Sequence, residues 1–542
     1  MYRYNYERLN EITKTEKGKA YVKRLQEYYN EHYANKPILS LSYSYAKLFN
    51  LDGNRVKFQD MYFERRKRLM ILQVLSLADN RYIEELEEIM ATICDEFTWV
   101  VPAHTYCEID LFSAETAMYL AETVYIFQDK LSKDIRDRIY VSIENKIVKI
   151  YEKNPFYWDA LKNNWIAVCG CGIGLAYLYL FPEKFDLIKE HILNTMNLYL
   201  SALDSQGYCN EGYSYWVYGF GFFCLFYDVY EQLTGEHPSI LDSEVVKKTL
   251  RYGQNSMLDK NVFLPFADGG SKGEHDEAVI LCTMERMFNV DFYFDESELF
   301  VPSSQALGYR VLDTLNRARK QKEQTKETIY YKESQVFIRQ NGNYVFTVKG
   351  GHNNEYHNHN DVGAFALIKN GKQYIADIGV GEYTRQYFDN GQRYEIFPCS
   401  SFSHSVPIID GNPQAFGQEF FGNVLEWNEN SIAIDIAKAY KASATKLVVK
   451  YRTNKNGIDV TYRYDGIEGK IVFRFVSFIE PKIINGKVFL QDLEITSNLN
   501  VLPKIQKREY AKYLGKAGLA YIVDYEVNKS GSGFASFSFQ FQ

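Results

Sequence analysis

Residues 313–332 read DTLNRARKQKEQTKETIYYK, and the hydrophobic period differs on the two sides of this polar stretch. Upstream, apolar residues recur every three to four positions, most plainly at Ile135, Ile139, Ile143, Ile147 and Ile150, with charges between them. That spacing draws one apolar stripe along one helix. Similar stretches at 63–98, 113–131, 184–204, 214–234 and 274–290 predict successive helical hairpins. Two segments, 164–181 and 212–227, are nearly uncharged, and a helix apolar on all faces is surrounded by others. An inner ring of buried helices inside an amphipathic outer one is expected.

Downstream the period falls to two. Runs such as YVFTVKG (344–350), GAFALIK (363–369), KQYIADIG (372–379), GIDVTYRY (457–464) and KIVFRFVSF (470–478) are β-rich. The pairs Asn341-Gly342, Asn370-Gly371, Asn456-Gly457, Asp465-Gly466 and Asn485-Gly486 are tight-turn signals beside them. Antiparallel sheets in a sandwich follow. The expected α+β multidomain chain has a helical domain over 1–320 and a β domain over 321–542.

Composition limits the function. With 542 residues, 46% hydrophobic and 24% charged, the chain can bury large cores. Its 69 acidic and 62 basic residues give a net charge of -7 and no basic stripe, so a nucleic-acid partner lacks electrostatic support. Aromatic residues reach 16%, with 45 Tyr, and tyrosine's flat face and polar tip suit sugar clefts as well as cores. The eight cysteines lack CxxC spacing and are expected to be reduced, with Cys169 and Cys171 in helix packing rather than zinc. The N-terminus has no apolar leader, which places the protein in the cytoplasm unless an export signal has been removed. The longest uncharged run, 166–181, is too short to span a membrane, so no membrane partner is expected.

Three groups of residues could carry chemistry. His357 and His359 stand in YHNHND, where an extended backbone would turn both imidazoles to one face. With Asp377 and His404 nearby, two imidazoles and a carboxylate suit one divalent ion, zinc or manganese, and a hydrogen-bonded seam is the alternative. Asn163 and Asn164 open a buried helix, as caps or as donors to a carboxylate or sugar hydroxyl. The run Glu211-Gly212-Tyr213-Ser214-Tyr215-Trp216-Val217-Tyr218 crowds aromatic rings beside a carboxylate.

These segments resemble a family. CNEGYSYWVYGFGF and NNWIAVCGCGIG are similar to the E-G-x-x-Y-W-x-Y-G and N-N-W-x-x-V-C segments of heparinase II/III-type polysaccharide lyases. HNHNDVGAFALIKNGKQYIADIG and SFSHSVPIIDGNPQ resemble that family's H-x-H-x-D-x-G-x-F and H-x-x-x-x-x-D-G-x-x-Q segments. The resemblance implies an incomplete (α/α) toroid followed by an antiparallel β-sandwich. It implies Asn164 on the uronate carboxylate, Tyr215 and His357 as acid and base, and His359, Asp377 and His404 as ligands of a structural metal. The implied activity is β-elimination on an acidic, uronate-containing glycan, a glycosaminoglycan first and alginate second. Asn163, Glu211, Trp216, Arg385 and Arg393 are the substrate-binding candidates. Two other readings stay open: a hydrolase using Glu211 and Asp268, and a non-catalytic carbohydrate-binding protein.

Overall fold

The computed structural model describes residues 2–542 except 105, 154–155, 261, 270–276, 319, 321, 324, 390, 442–443 and 529–530. The residue at which the sequence boundary falls, Gln321, and the start of the stretch expected at 274–290 lie outside the described residues. Two compact units form. The first comprises Met1–Ala202, Trp216–Lys247 and His275–Lys320; the second comprises Leu203–Tyr215, Lys248–Glu274 and Gln321–Gln542.

The first unit is the incomplete (α/α) toroid. Its inner helices Leu111–Phe127 and Asn164–Leu180 are buried on nearly every face. Their close approach depends on glycine: a Cβ at Gly172 would lie 2.5 Å from the Ala114 backbone. Cys169 and Cys171 are buried within this packing, and desolvation pushes both thiols well up, as expected of inert core residues. The Leu111–Phe127 helix joins the inner ring although it carries Glu115 and Glu122. Both carboxyls have internal partners: Tyr119 donates to Glu115 at 2.5 Å, and Arg310, itself 1% exposed, reaches Glu122 at 2.7 Å. Elsewhere the sequence expectations need adjustment. The stretch 63–98 is two helices, Val56–Ala78 and Ile83–Cys94, parted by a 3-10 turn. The isoleucine stripe is an α-helix, Lys133–Ile143, running into a π-turn, Glu144–Val148, whose extra residue lets Ile147 and Val148 both bury.

The second unit is the β-sandwich. A five-stranded antiparallel sheet runs Lys326–Tyr331, Val336–Asn341, Val345–Lys349, Phe365–Lys369 and Lys372–Ile375 in spatial order. It shares one core with an eight-stranded and a four-stranded sheet. Phe346 and Phe365 from the first meet Val449 and Phe539 from the second and Phe475 from the third. Asn370-Gly371 and Asn485-Gly486 are two-residue hairpin turns with both residues at positive φ, the I′ geometry that matches strand twist. Asp465-Gly466 is a correction. It lies inside the strand Gly457–Ile467, where the register shifts after Tyr464, so the pair makes a bulge rather than a turn.

No helix among the described residues is long and apolar enough to cross a membrane.

Candidate active site

Within the second unit, one carboxylate gathers the candidate residues. Asp268 stands on a turn after the strand Val262–Phe263, and its side chain is fully buried. His357 Nδ1 lies 2.8 Å from Oδ2, and His359 Nε2 lies 3.0 Å from Oδ1. Arg393 Nη2 donates to Oδ2 at 3.0 Å, the Tyr387 hydroxyl donates to Oδ1, and Tyr383 approaches Oδ2 at 3.4 Å. A carboxylate offers about four acceptor positions, so Asp268 is saturated. Burial opposes its ionisation, but Arg393 and the two imidazoles outweigh burial and hold it well below the usual carboxylate range.

The backbone is locked at the same place. His357 and Ala267 both have positive φ, 58° and 63°, and the Asp268 amide donates to the His357 carbonyl at 3.1 Å. Each such residue costs on the order of 1–3 kcal/mol and persists only where its surroundings impose it. The extended backbone expected through His357 and His359 is therefore not what joins them. A left-handed residue turns the chain, and the shared carboxylate holds both rings.

Tyr215 stands in the first turn of the helix Tyr213–Thr234. Its ring stacks on His357, with centroids 3.9 Å apart and planes 22° apart, and its hydroxyl bonds the Tyr383 hydroxyl. Both Tyr215 and His357 stay partly exposed while Asp268 and His359 are sealed. Burial, reinforced by the Asp268 charge, pushes the Tyr215 phenol well up, so it stands protonated. The approach depends on Gly212, at φ 101°, where a Cβ would meet the Phe266 carbonyl at 2.9 Å. Glu211 Oε2 lies 3.8 Å from His357 Nε2, beyond hydrogen-bond reach.

His359, Asp377 and His404 are all buried, with ligand atoms within 4.8 Å of one another, and could hold a metal ion. Their hydrogen bonds fit one. With Nε2 turned to Asp268, His359 keeps a buried Nδ1 without a hydrogen-bond partner. Burial pushes His359 down, which favours the neutral, ligating form. His404 places Nε2 3.1 Å from the Pro398 carbonyl and Nδ1 3.1 Å from Asp377 Oδ2. In a neutral ring whose Nε2 donates to that carbonyl, the Nδ1 lone pair would face carboxylate lone pairs, so a cation or a proton is required there. Asp268 behind His359 completes a carboxylate–histidine pair of the kind that orients metal ligands.

The other sequence candidates separate. Asn163 is the N-cap of Asn164–Leu180, accepting from the Trp165 amide at 3.1 Å, and Asn164 is the helix's buried first residue. Both belong to the first unit. Trp216 is a correction: fully buried against Phe220 and Phe292, it is core and has no face for a sugar. Arg393 is another, because it is 6% exposed and committed to Asp268 and to the Asn358 carbonyl rather than to an acidic sugar. Arg385 is exposed. As one of the hydrolase's two flanking carboxylates, Asp268 is sealed from solvent and its acceptor positions are filled by His357, His359, Arg393 and Tyr387, which leaves it no face for a sugar. Reading by sequence missed Tyr383 and Tyr387, whose spacing in GEYTRQYF does not set them apart among 45 tyrosines.

No family model matches the sequence, and no curated protein matches it either. Solved structures do match. The crystal structure of heparinase III superposes with a TM-score of 0.66 at 13% identity, covering 96% of this chain and 91% of that one. The heparan sulfate lyase from Pedobacter heparinus gives 0.58 at 13% identity, covering 96% and 87%. The Streptomyces coelicolor A3 chondroitin AC lyase in complex with chondroitin sulphate gives 0.62 at 7% identity, covering 99% and 82%. The chain has the heparinase-like polysaccharide lyase fold.

Proposed function

We propose that the chain is a polysaccharide lyase that cleaves the bond at C4 of a hexuronic acid by β-elimination, leaving a C4–C5 double bond. The observation that carries this reading is the stacked Tyr215–His357 pair, partly exposed above a buried carboxylate. Asp268 holds the proton of His357 on Nδ1, which leaves the Nε2 lone pair to accept the C5 proton. Tyr215, protonated, gives its proton to the departing oxygen. Where the C5 proton and the leaving oxygen share a face of the sugar, Tyr215 would serve both steps only as its phenolate, taking the C5 proton and passing that same proton to the oxygen; where they lie on opposite faces, His357 is the base and the protonated Tyr215 the acid. Pure binding needs neither group, which favours catalysis over a carbohydrate-binding module.

Removal of the C5 proton also requires the adjacent carboxylate to be neutralised by fixed donors. The sequence resemblance gives that role to Asn164. The metal bound by His359, Asp377 and His404, zinc or manganese by its donor set, would act as a structural staple that fixes His359 against Asp268. The substrate class proposed is a glycosaminoglycan, supported by neighbours that are heparan sulfate and chondroitin lyases, with alginate the second uronan that the sequence resemblance leaves open. The test is a panel of uronic-acid polysaccharides read by ultraviolet absorbance of the new double bond. Absorbing products from a glycosaminoglycan are expected; reducing ends without absorbance would indicate hydrolysis, and binding without turnover a lectin.

A further inference from the structure

The Tyr383 hydroxyl sits between two oxygens and has one proton to give. On one side is the Tyr215 hydroxyl; on the other, at 3.4 Å, is Asp268 Oδ2, which already receives His357 at 2.8 Å and Arg393 at 3.0 Å. The contact with Asp268 is long for a hydroxyl donor, and the one with Tyr215 is the closer. If Tyr215 donated to Tyr383, its proton would point into the protein and away from any substrate. If Tyr383 donates to Tyr215, the Tyr215 proton is directed outward, and Tyr215 is the less buried of the two.

We infer that Tyr383 is a positioning residue: its hydroxyl donates to the Tyr215 oxygen and stabilises the phenolate that forms as Tyr215 protonates the leaving oxygen. The inference rests on the lyase reading above. Before proton transfer the bond joins two neutral hydroxyls; afterwards it joins a hydroxyl to an anion, and charge-assisted bonds are roughly twice as strong. An interaction that strengthens along the reaction raises kcat rather than substrate binding. The groups around Tyr215 make this donor necessary. Burial first, then the Asp268 charge, Tyr513 and Glu211, all oppose ionisation of its phenol; the Tyr383 hydrogen bond favours it, and His357 supplies a stacked ring. The Tyr383 ring is fixed in advance, with centroids 4.8 Å from Tyr387, 5.0 Å from Phe388 and 5.2 Å from Tyr513. Phenylalanine at 383 would keep that packing and lose only the hydroxyl.

The experiment compares Y383F with the full-length wild type on a uronan that the wild type cleaves, and on uronides carrying a series of aryl leaving groups at C4. For Y383F, kcat on the natural glycan should fall on the order of 100-fold, as for loss of one preorganised donor to a developing anion, with KM held within about twofold. Melting temperature and metal content should match the wild type. Because good leaving groups need little protonation, the Y383F rate should depend more steeply on leaving-group acidity, and the deficit should vanish for the best aryl groups. An unchanged kcat, or an equal loss across the whole series, would overturn the inference while the lyase reading stands. A wild type without elimination product on any uronan would overturn both.

Discussion

Replacing Asp268 with asparagine keeps the volume and removes the charge on which His357, His359, Arg393 and Tyr387 converge. The loss divides into two parts that different assays read. Arg393, 6% exposed, would be left without its anion, and breaking a buried ion pair from one side costs about 3–5 kcal/mol. At roughly 2–4 °C per kcal/mol for a unit of this size, the melting transition of the sandwich should drop by roughly 6–20 °C. The second part is kinetic. In the proposed reaction His357 becomes an imidazolium on taking the C5 proton, and in the variant its Nδ1–H bond, 2.8 Å long in the wild type, would meet an amide oxygen instead of a carboxylate. A hydrogen bond to a charged group contributes about 1.5–3 kcal/mol, and at 1.36 kcal/mol per decade kcat should fall roughly 10- to 160-fold. Thermal unfolding followed by circular dichroism and initial rates followed by ultraviolet absorbance, both below the lowered transition, separate the two. A lowered melting temperature with wild-type kcat would refute the positioning of His357 by Asp268, and no change in either would refute the whole network.

Tyr215→Phe should leave the melting curve unchanged and lower kcat by at least about 100-fold, the scale of lost general acid catalysis; near-normal turnover would remove Tyr215 from the mechanism. Prolonged chelation, or His404→Ala, should lower the melting temperature and the activity together, with elemental analysis of the native protein reporting one stoichiometric divalent ion; its absence, with an unchanged curve after chelation, would leave a hydrogen-bonded seam. Burial raises the Glu115 carboxyl to about 7 from 4.5, so folding is favoured most below pH 4.5 and loses about 3 kcal/mol as pH rises through 7. Denaturant titrations of Glu115→Gln across that window should lack the slope, and an unchanged slope would mean the carboxyl is ionised.

The fold was legible because its signals are local. Periods of four and two, and turn pairs such as Asn370-Gly371, depend on neighbouring residues alone. What was not legible depends on partners far away in the chain. Glu115 and Glu122 make Leu111–Phe127 look like an outer helix until Tyr218 and Arg310, 103 and 188 positions on, take up their carboxyls. Asp465-Gly466 has the letters of a hairpin, but Gly457–Ile467 pairs straight past it. In the site, HNH and the aromatic run were visible as clusters. Asp268 was visible only as one member of a pair of carboxylates, because its partners come from 89 to 125 positions away.

That long-range convergence has a functional consequence. The metal group and the Tyr215–His357 pair share no residue, yet His359 and His357 both end on Asp268, His359 on Oδ1 and His357 on Oδ2. If the proposed ion is held there, its loss would free His359 to rotate, which would remove a donor from Oδ1 and let the carboxylate turn. The change then reaches His357 through a single bond. Tyr215, whose hydroxyl pairs with that of Tyr383, has no bond to that carboxylate. A metal-depleted enzyme should therefore lose more on substrates that need a separate base than on those whose proton and leaving oxygen share a face, where Tyr215 does both steps. Equal losses on the two classes would mean that the ion supports the sandwich as a whole rather than the base.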